Sequence, residues 1–174
     1  TGGTVYLATG ADFADALVAG AAAGADAGSL LLTRPTSLPA ATAAELSRID
    51  PDRIIIVGGT AAVSDAVASA ASVHGPVTRI AGANRYATAA AISSATFDGK
   101  VPVLVATGQD FPDAMVASAA AIAGGGPVLL TRTDGVPSST ADELGRLAPA
   151  SSAVVGGAAV ITDRASAQVY RSAQ

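Results

Sequence analysis

The chain contains one stretch of sequence twice. Val5-Tyr-Leu-Ala-Thr-Gly-Ala-Asp-Phe-Ala-Asp-Ala-Leu-Val-Ala19 returns, 98 residues on and without a gap, as Val103-Leu-Val-Ala-Thr-Gly-Gln-Asp-Phe-Pro-Asp-Ala-Met-Val-Ala117. The correspondence continues at Leu31-Leu-Thr-Arg34 against Leu129-Leu-Thr-Arg132, at Glu45-Leu46 against Glu143-Leu144, and at Val57-Gly-Gly59 against Val155-Gly-Gly157. Roughly half the positions from 5 to 67 equal their counterparts, too long a run for chance, so the chain holds two copies of one small domain. Residues 1–76 read as a first copy lacking its opening strand and helix, and 77–174 as a second, complete copy. Counting back one period from Arg79 falls before Thr1, so the chain reads as a piece of a longer array. Its start at Thr1-Gly2-Gly3, without Met or a basic leader, is that of a processed chain or an excised fragment.

Each copy alternates between short apolar runs and longer alanine-rich ones. In the second copy Val77–Ile80, Val101–Ala106, Pro127–Thr131 and Ala153–Val155 read as strands. Asn84–Ala95, Asp110–Ala123, Ser138–Leu147 and Thr162–Ser172 read as helices between and after them. Strands apolar on both faces, joined by helices, form a parallel sheet covered on both sides. The predicted fold class is α/β, a parallel-sheet sandwich with helices on both faces, present as tandem repeats. Alanine, about a quarter of the chain, lets helices approach a sheet closely, and aromatics at 3% leave the core to small aliphatics.

Composition removes several functions. Half the residues are apolar and 14% charged, which is not the profile of a disordered chain. The absence of cysteine excludes a disulfide framework and a thiolate zinc site. A single histidine, His74, argues against a His-rich metal site and a Ser-His-Asp triad, and reads as a turn residue. A net charge of −4 argues against a general nucleic-acid binder. The uncharged stretch 114–131 is broken by Gly124-Gly125-Gly126-Pro127 and reads as a helix end followed by a buried strand, so no membrane span is expected.

Polar residues gather where the strands should end: Thr9-Gly10 and Thr107-Gly108, Thr33-Arg34 and Thr131-Arg132, the two Gly-Gly pairs, and Ala81-Gly82-Ala83-Asn84-Arg85. In a parallel sheet these C-terminal ends share one edge, where open α/β folds place ligands. Arg34, Arg85 and Arg132 could grip carboxylate or phosphate there, with Asn84 and the Thr9-Gly10 and Thr107-Gly108 turns as donors. The same arginines could instead pair with the acids beside them, which is the usual fate of such a side chain. Asp12-Phe-Ala-Asp15 and Asp110-Phe-Pro-Asp113 are carboxylate pairs, but a helix start asks for acids at these places, so capping is the preferred reading. The Gly-Gly pairs lack dinucleotide-binding spacing. No Asp-x-Asp metal cluster and no nucleophile with a base stands out, so neither catalytic residues, nor a metal site, nor a cofactor is expected.

Arg79-Ile-Ala-Gly-Ala-Asn-Arg-Tyr-Ala-Thr-Ala-Ala-Ala-Ile92 resembles the opening signature of the cell wall binding repeat type 2 family. The family's later motifs follow in order: Ala106-Thr-Gly108, Asp110-Phe-Pro-Asp-Ala114, Pro127-Val-Leu-Leu-Thr131 and Val155-Gly-Gly157. The resemblance covers 77–174 and, without the signature, 1–76. It implies a Toprim-like or Rossmann-like repeat that anchors S-layer-associated proteins, amidases and other secreted Gram-positive proteins to the wall. The implied ligand is an anionic secondary polymer, a polysaccharide or teichoic-type chain, and the implied location is extracellular, at the cell wall or surface. The family's repeats typically come in threes around a pseudo-threefold axis, so other repeats are implied partners; fewer than two full repeats are present here. High alanine and a single lysine, Lys100, among ten basic residues suggest a GC-rich actinobacterial source. A chain of net charge −4 can bind a polyanion only locally, through arginines on one edge or a bridging divalent cation. Two other readings remain at this point, a purely structural assembly repeat and a Toprim-like hydrolase.

Overall fold

The computed structural model describes residues 2–174. The chain runs β1 (Thr4–Thr9), α1 (Ala14–Ala25), β2 (Ser29–Thr33), α2 (Ala40–Ile49), β3 (Arg53–Val57), α3 (Asp65–Ala71), a 3-10 turn at Ser72–His74, and β4 (Val77–Ile80). It continues with α4 (Arg85–Thr96), β5 (Pro102–Thr107), α5 (Phe111–Gly124), β6 (Val128–Thr131), α6 (Ser138–Leu147), β7 (Ser151–Val155) and α7 (Asp163–Ser172). Two parallel sheets result, ordered β2-β1-β3-β4 and β6-β5-β7. Register repeats with the sequence period: Leu7 lies opposite Leu31 and Val105 opposite Leu129. The expected α/β class and tandem arrangement are what the chain adopts. No described helix is long and apolar enough to cross a membrane. The uncharged 114–131 stretch is the body of α5, a glycine turn and β6.

Alternation along the strands divides the core between the sheet faces. Val5, Leu7, Ile54 and Ile56 meet Leu46 of α2 and Val67 and Ala71 of α3. Tyr6, Ala8, Ile55 and Val57 point the other way, against Ala19, Ala22 and Ala23 of α1. In the second sheet Val103, Val105 and Leu129 pack with Leu144 and Leu147 of α6 and Val169 of α7. Its other face places Ala106, Val128 and Leu130 under Ala114, Ala117 and Ala121 of α5. Ala14, Val18 and Ala21 of α1 reach that same cluster, so α1 serves both sheets. The two helical copies of the repeat touch directly, and the Ser118 hydroxyl donates to the Leu17 carbonyl at 2.8 Å.

Small residues are required where backbones meet. Gly28 and Gly126 are equivalent positions, and a Cβ at either would overlap the carbonyl of Thr4 or Pro102 on the neighbouring strand. Helices end by matching devices: α2 at Asp50 (φ 52°) and α6 at Ala148 (φ 41°), both left-handed.

One element sits elsewhere than the sequence period suggests. The strand Val77–Ile80, which opens the second copy of the sequence, is hydrogen-bonded to β3 and completes the first sheet. Ile54 N–H donates to Pro76 O at 2.8 Å and Gly58 N–H to Ile80 O at 2.9 Å. The helix that follows it, α4, packs instead with α6, β6 and α1. A repeating sequence has a period but no intrinsic starting point. The sheets divide between β4 and α4, leaving four strands in the first and three in the second.

Candidate functional site

The polar turns do lie together at the C-terminal strand ends, and the junction between the two sheets passes through them. Arg85, first residue of α4, holds that junction. Its guanidinium donates to Gly108 O at 2.6 Å and to Asp12 Oδ2 at 2.9 Å. It also lies 5.5 Å from the centroid of the Phe13 ring, which in turn tilts against Phe111 at 6.3 Å. Asp12 and Phe13 belong to the first copy and Gly108 and Phe111 to the second, so one side chain ties the two together. Pairing between arginine and a neighbouring acid is therefore what Arg85 shows, through an ion pair two-thirds withdrawn from solvent on the arginine side.

The other candidates take distinct places. Asn84 caps α4, its Oδ1 accepting from the N–H groups of Tyr86 (3.1 Å) and Ala87 (3.0 Å). Arg132 is exposed, its guanidinium carbon 5.4 Å from the centroid of the Tyr86 ring, within cation–π range. Asn84, Arg85, Thr107, Gly108 and Arg132 thus form one neighbourhood around Tyr86. Arg34 is the counterpart of Arg132 and is also exposed, but among the described residues no side-chain hydrogen bond, ion pair or cation–π contact joins it to this group. Thr9 and Thr107 are buried, and each accepts from the N–H two residues on, at 3.1 Å in both copies. The Gly10 and Gly108 N–H groups donate to Thr33 O and Thr131 O at 2.9 Å, extending the sheets by one rung. Those Thr-Gly turns hold their own strands together, and these amides are not free donors.

The acid pairs divide. Asp110 caps α5, accepting from Phe111 N–H at 2.8 Å, as a helix start asks. Asp12 turns to Arg85 and keeps only a long 3.5 Å contact with Ala14 N–H. Asp15 and Asp113, one turn in, lie against Gly58 (φ 105°) and Gly156 (φ 134°), where a Cβ would run into their carboxylates. That explains the glycine of both Val-Gly-Gly segments: the left-handed turn and the acid above it exclude a side chain. Burial, and then the Asp12 charge, raise the Asp15 carboxyl above the ordinary 3.8, with Arg85 opposing them.

A cleft of about 230 Å³ opens here, lined by Asp12, Asp15, Gly59, Asn84, Arg85 and Thr88. With two carboxylates to one committed guanidinium, it is a mixed-charge crevice rather than an anion pocket. Among the described residues no group of three metal-ligating side chains occurs. In the sequence Arg79 stands out only as the first residue of the family signature. Its guanidinium donates to Gly58 O at 2.8 Å and to Asp65 at 3.3 Å, fastening β4 to the turn after β3. An arginine in the middle of a four-residue strand was the available signal.

Comparison with known proteins agrees with this architecture. The sequence profile of the cell wall binding domain 2 family matches residues 2–68 and 79–166. The amidase enhancer of Bacillus subtilis (strain 168) is 34% identical over 110 residues, covering 62% of this chain and 15% of that protein. N-acetylmuramoyl-L-alanine amidase LytC of the same organism is 32% identical over 164 residues, covering 94% of this chain and 33% of that protein. Among solved structures, Cwp6 from Clostridium difficile superposes with a TM-score of 0.87 at 26% identity, over 97% of this chain and 27% of that one. Cwp8 from the same organism shares the fold, with a TM-score of 0.79 at 24% identity, over 97% of this chain and 29% of that one. The chain thus spans a third or less of each of these proteins. With two copies matched in register and the fold shared across nearly its whole length, the chain belongs to the cell wall binding domain 2 family.

Proposed function

We propose that this chain is a non-catalytic module anchoring a secreted Gram-positive protein to the cell wall through an anionic secondary polymer, a polysaccharide or teichoic-type chain. The observation that carries the reading is the family match, once in each copy. The module works outside the cell, at the wall or surface. Its alanine-rich, lysine-poor composition supports a GC-rich, actinobacterial parent. The relatives are several times longer than this chain, the proportion expected of an attached module.

Contact with phosphate or carboxylate falls to the exposed guanidinium groups of Arg34 and Arg132, with Arg85 and Asn84 shaping the edge between them. Arg132 is pre-set by Tyr86, so a ligand oxygen meets a side chain already ordered. Further repeats of the family are partners as well. An apolar groove of about 430 Å³ between α1 and α5, lined by Leu17, Leu30, Met115 and Ile122 among others, gives such a repeat surface to bury.

The test is retention on purified Gram-positive walls before and after acid extraction of their secondary polymers. The expected result is retention on intact walls, loss after extraction, and about tenfold weaker retention when Arg34→Glu and Arg132→Glu are combined, since two charge-assisted contacts become repulsive. Release by a chelator would instead assign the contact to a bridging cation. Failure to bind intact walls would overturn the reading in favour of a purely structural repeat.

A further inference from the structure

β3 and β7 are equivalent strands with different surroundings. β3 is covered along its outer edge by β4, and four of its five residues are buried. Among the described residues no strand lies on that side of β7, and none of its own residues is fully buried. The N–H groups of Ile54 and Gly58 point at β4. Their counterparts, and the alternation of a parallel ladder, aim those of Ser152, Val154 and Gly156 at the open edge.

The partners of β4's arginine are also present twice. Arg79 is held by Gly58 O and the Asp65 carboxylate, and its side chain is 22% exposed. One period on stand Gly156, with the same left-handed turn (φ 134°), and Asp163, again in the first turn of its helix. Among the described residues Asp163 has no arginine, and no strand lies beside Gly156. Ser152 and Ala153 replace Ile54 and Ile55, so this edge lacks the apolar row that would pair indiscriminately.

We infer that the open edge of β7, with the Gly156 carbonyl and the Asp163 carboxylate, is a receptor for one parallel strand with arginine at its third position, the opening strand of a further repeat. A second copy of this chain does not supply it, because its own Val77–Ile80 is engaged in its own first sheet. Main-chain hydrogen bonds provide the adhesion, and the arginine sets identity and register, as in other cases of strand addition. The inference rests on the proposal that further repeats are partners and is independent of the polymer.

The chain extended past Gln174 by a second copy of residues 75–84 tests it, with amide hydrogen exchange as readout. The Ser152, Val154 and Gly156 amides slow by about tenfold or more in the extended chain, the mark of edge groups gaining partners. Replacing the appended arginine by glutamate, or Asp163→Ala at its exposed receptor, returns them toward the rates of the unextended chain. The amides of Val105 and Ala106 in the central strand report that each variant is folded. Unchanged exchange on extension overturns the inference, and so does protection indifferent to both substitutions. Wall retention is read on the unextended chain, so failure of that experiment leaves this one intact.

Discussion

Asp15 carries the clearest residue-scale consequence. Its carboxyl is held above the ordinary 3.8 mainly by burial, and next by the Asp12 charge. Between 3.8 and the higher folded value the folded chain binds more proton than the unfolded one, so stability falls as pH rises through that window. At neutral pH the ionised carboxylate is therefore a cost. Asp15→Asn keeps the shape over Gly58 and removes the charge, so it is at least as stable as the parent at pH 7. Its advantage shrinks as the buffer is taken down toward pH 4. Urea unfolding of both chains across that range checks this, and an advantage that does not change with pH would refute the coupling. Asp12 and Asp110 make the complementary point. They occupy equivalent places in one motif, yet Asp110 caps α5 while Asp12 is drawn to Arg85. Acid residues at a helix start were legible in the sequence. The choice between cap and ion pair was not, because it depends on a guanidinium 73 residues away.

At the scale of elements, α2 and α6 are a built-in comparison. Each carries an i, i+3 pair, Glu45–Arg48 and Glu143–Arg146. In α2 the pair is on the surface; Arg48 is mostly exposed, and hydrogen bonding to Glu45 raises its pKa. In α6 Glu143 is buried, and Arg146 also donates to Phe97 O at 2.8 Å and to Asp98, binding α6 to the end of α4. Arg48→Ala should leave the denaturation midpoint essentially unchanged, as loss of an exposed pair does. Arg146→Ala leaves a buried carboxylate without its partner and should cost about 2–4 kcal/mol. The two denaturation midpoints, compared at pH 7, decide this, and equal costs would show that the buried pair is no more than its surface twin. The sequence displayed two identical Glu-x-x-Arg patterns and no sign of which one the fold would bury.

Over the whole molecule, α1 is the shared part. It covers Tyr6 and Ala8 of the first sheet and, through Val18 and Ala21, reaches the core of the second. Ile92 and Phe97, from α4 and the residue after it, join the cluster that spans both sheets. The Arg85 tie and the Ser118–Leu17 bond add polar fastening across the same boundary. Units joined in this way should unfold as one, with amides of β1 and β5 showing the same opening free energy in native-state exchange. Ala21→Leu weakens this joint, since Ala21 is buried in the core that α1 shares with α5 and has no room for a larger side chain. The variant should show two transitions in place of one. A single transition in that variant would place the coupling elsewhere than the α1–α5 contact.

The sequence by itself determined the repeat, the α/β class, nearly every strand and helix, and the family, because each of these is written in local pattern and in a period of fixed length. It placed the polar turns on one edge, since parallel strands can put them nowhere else. Only the tertiary structure decided where the sheets divide, because a period has no starting point and β4 chose its sheet by pairing with β3. It alone turned the Thr-Gly amides inward to the ladder and set Arg132 on Tyr86 while leaving Arg34 without such a partner. It also made Arg85 the fastening between the copies. Those outcomes turn on groups distant in sequence meeting at hydrogen-bond range, and a one-dimensional pattern does not encode such meetings.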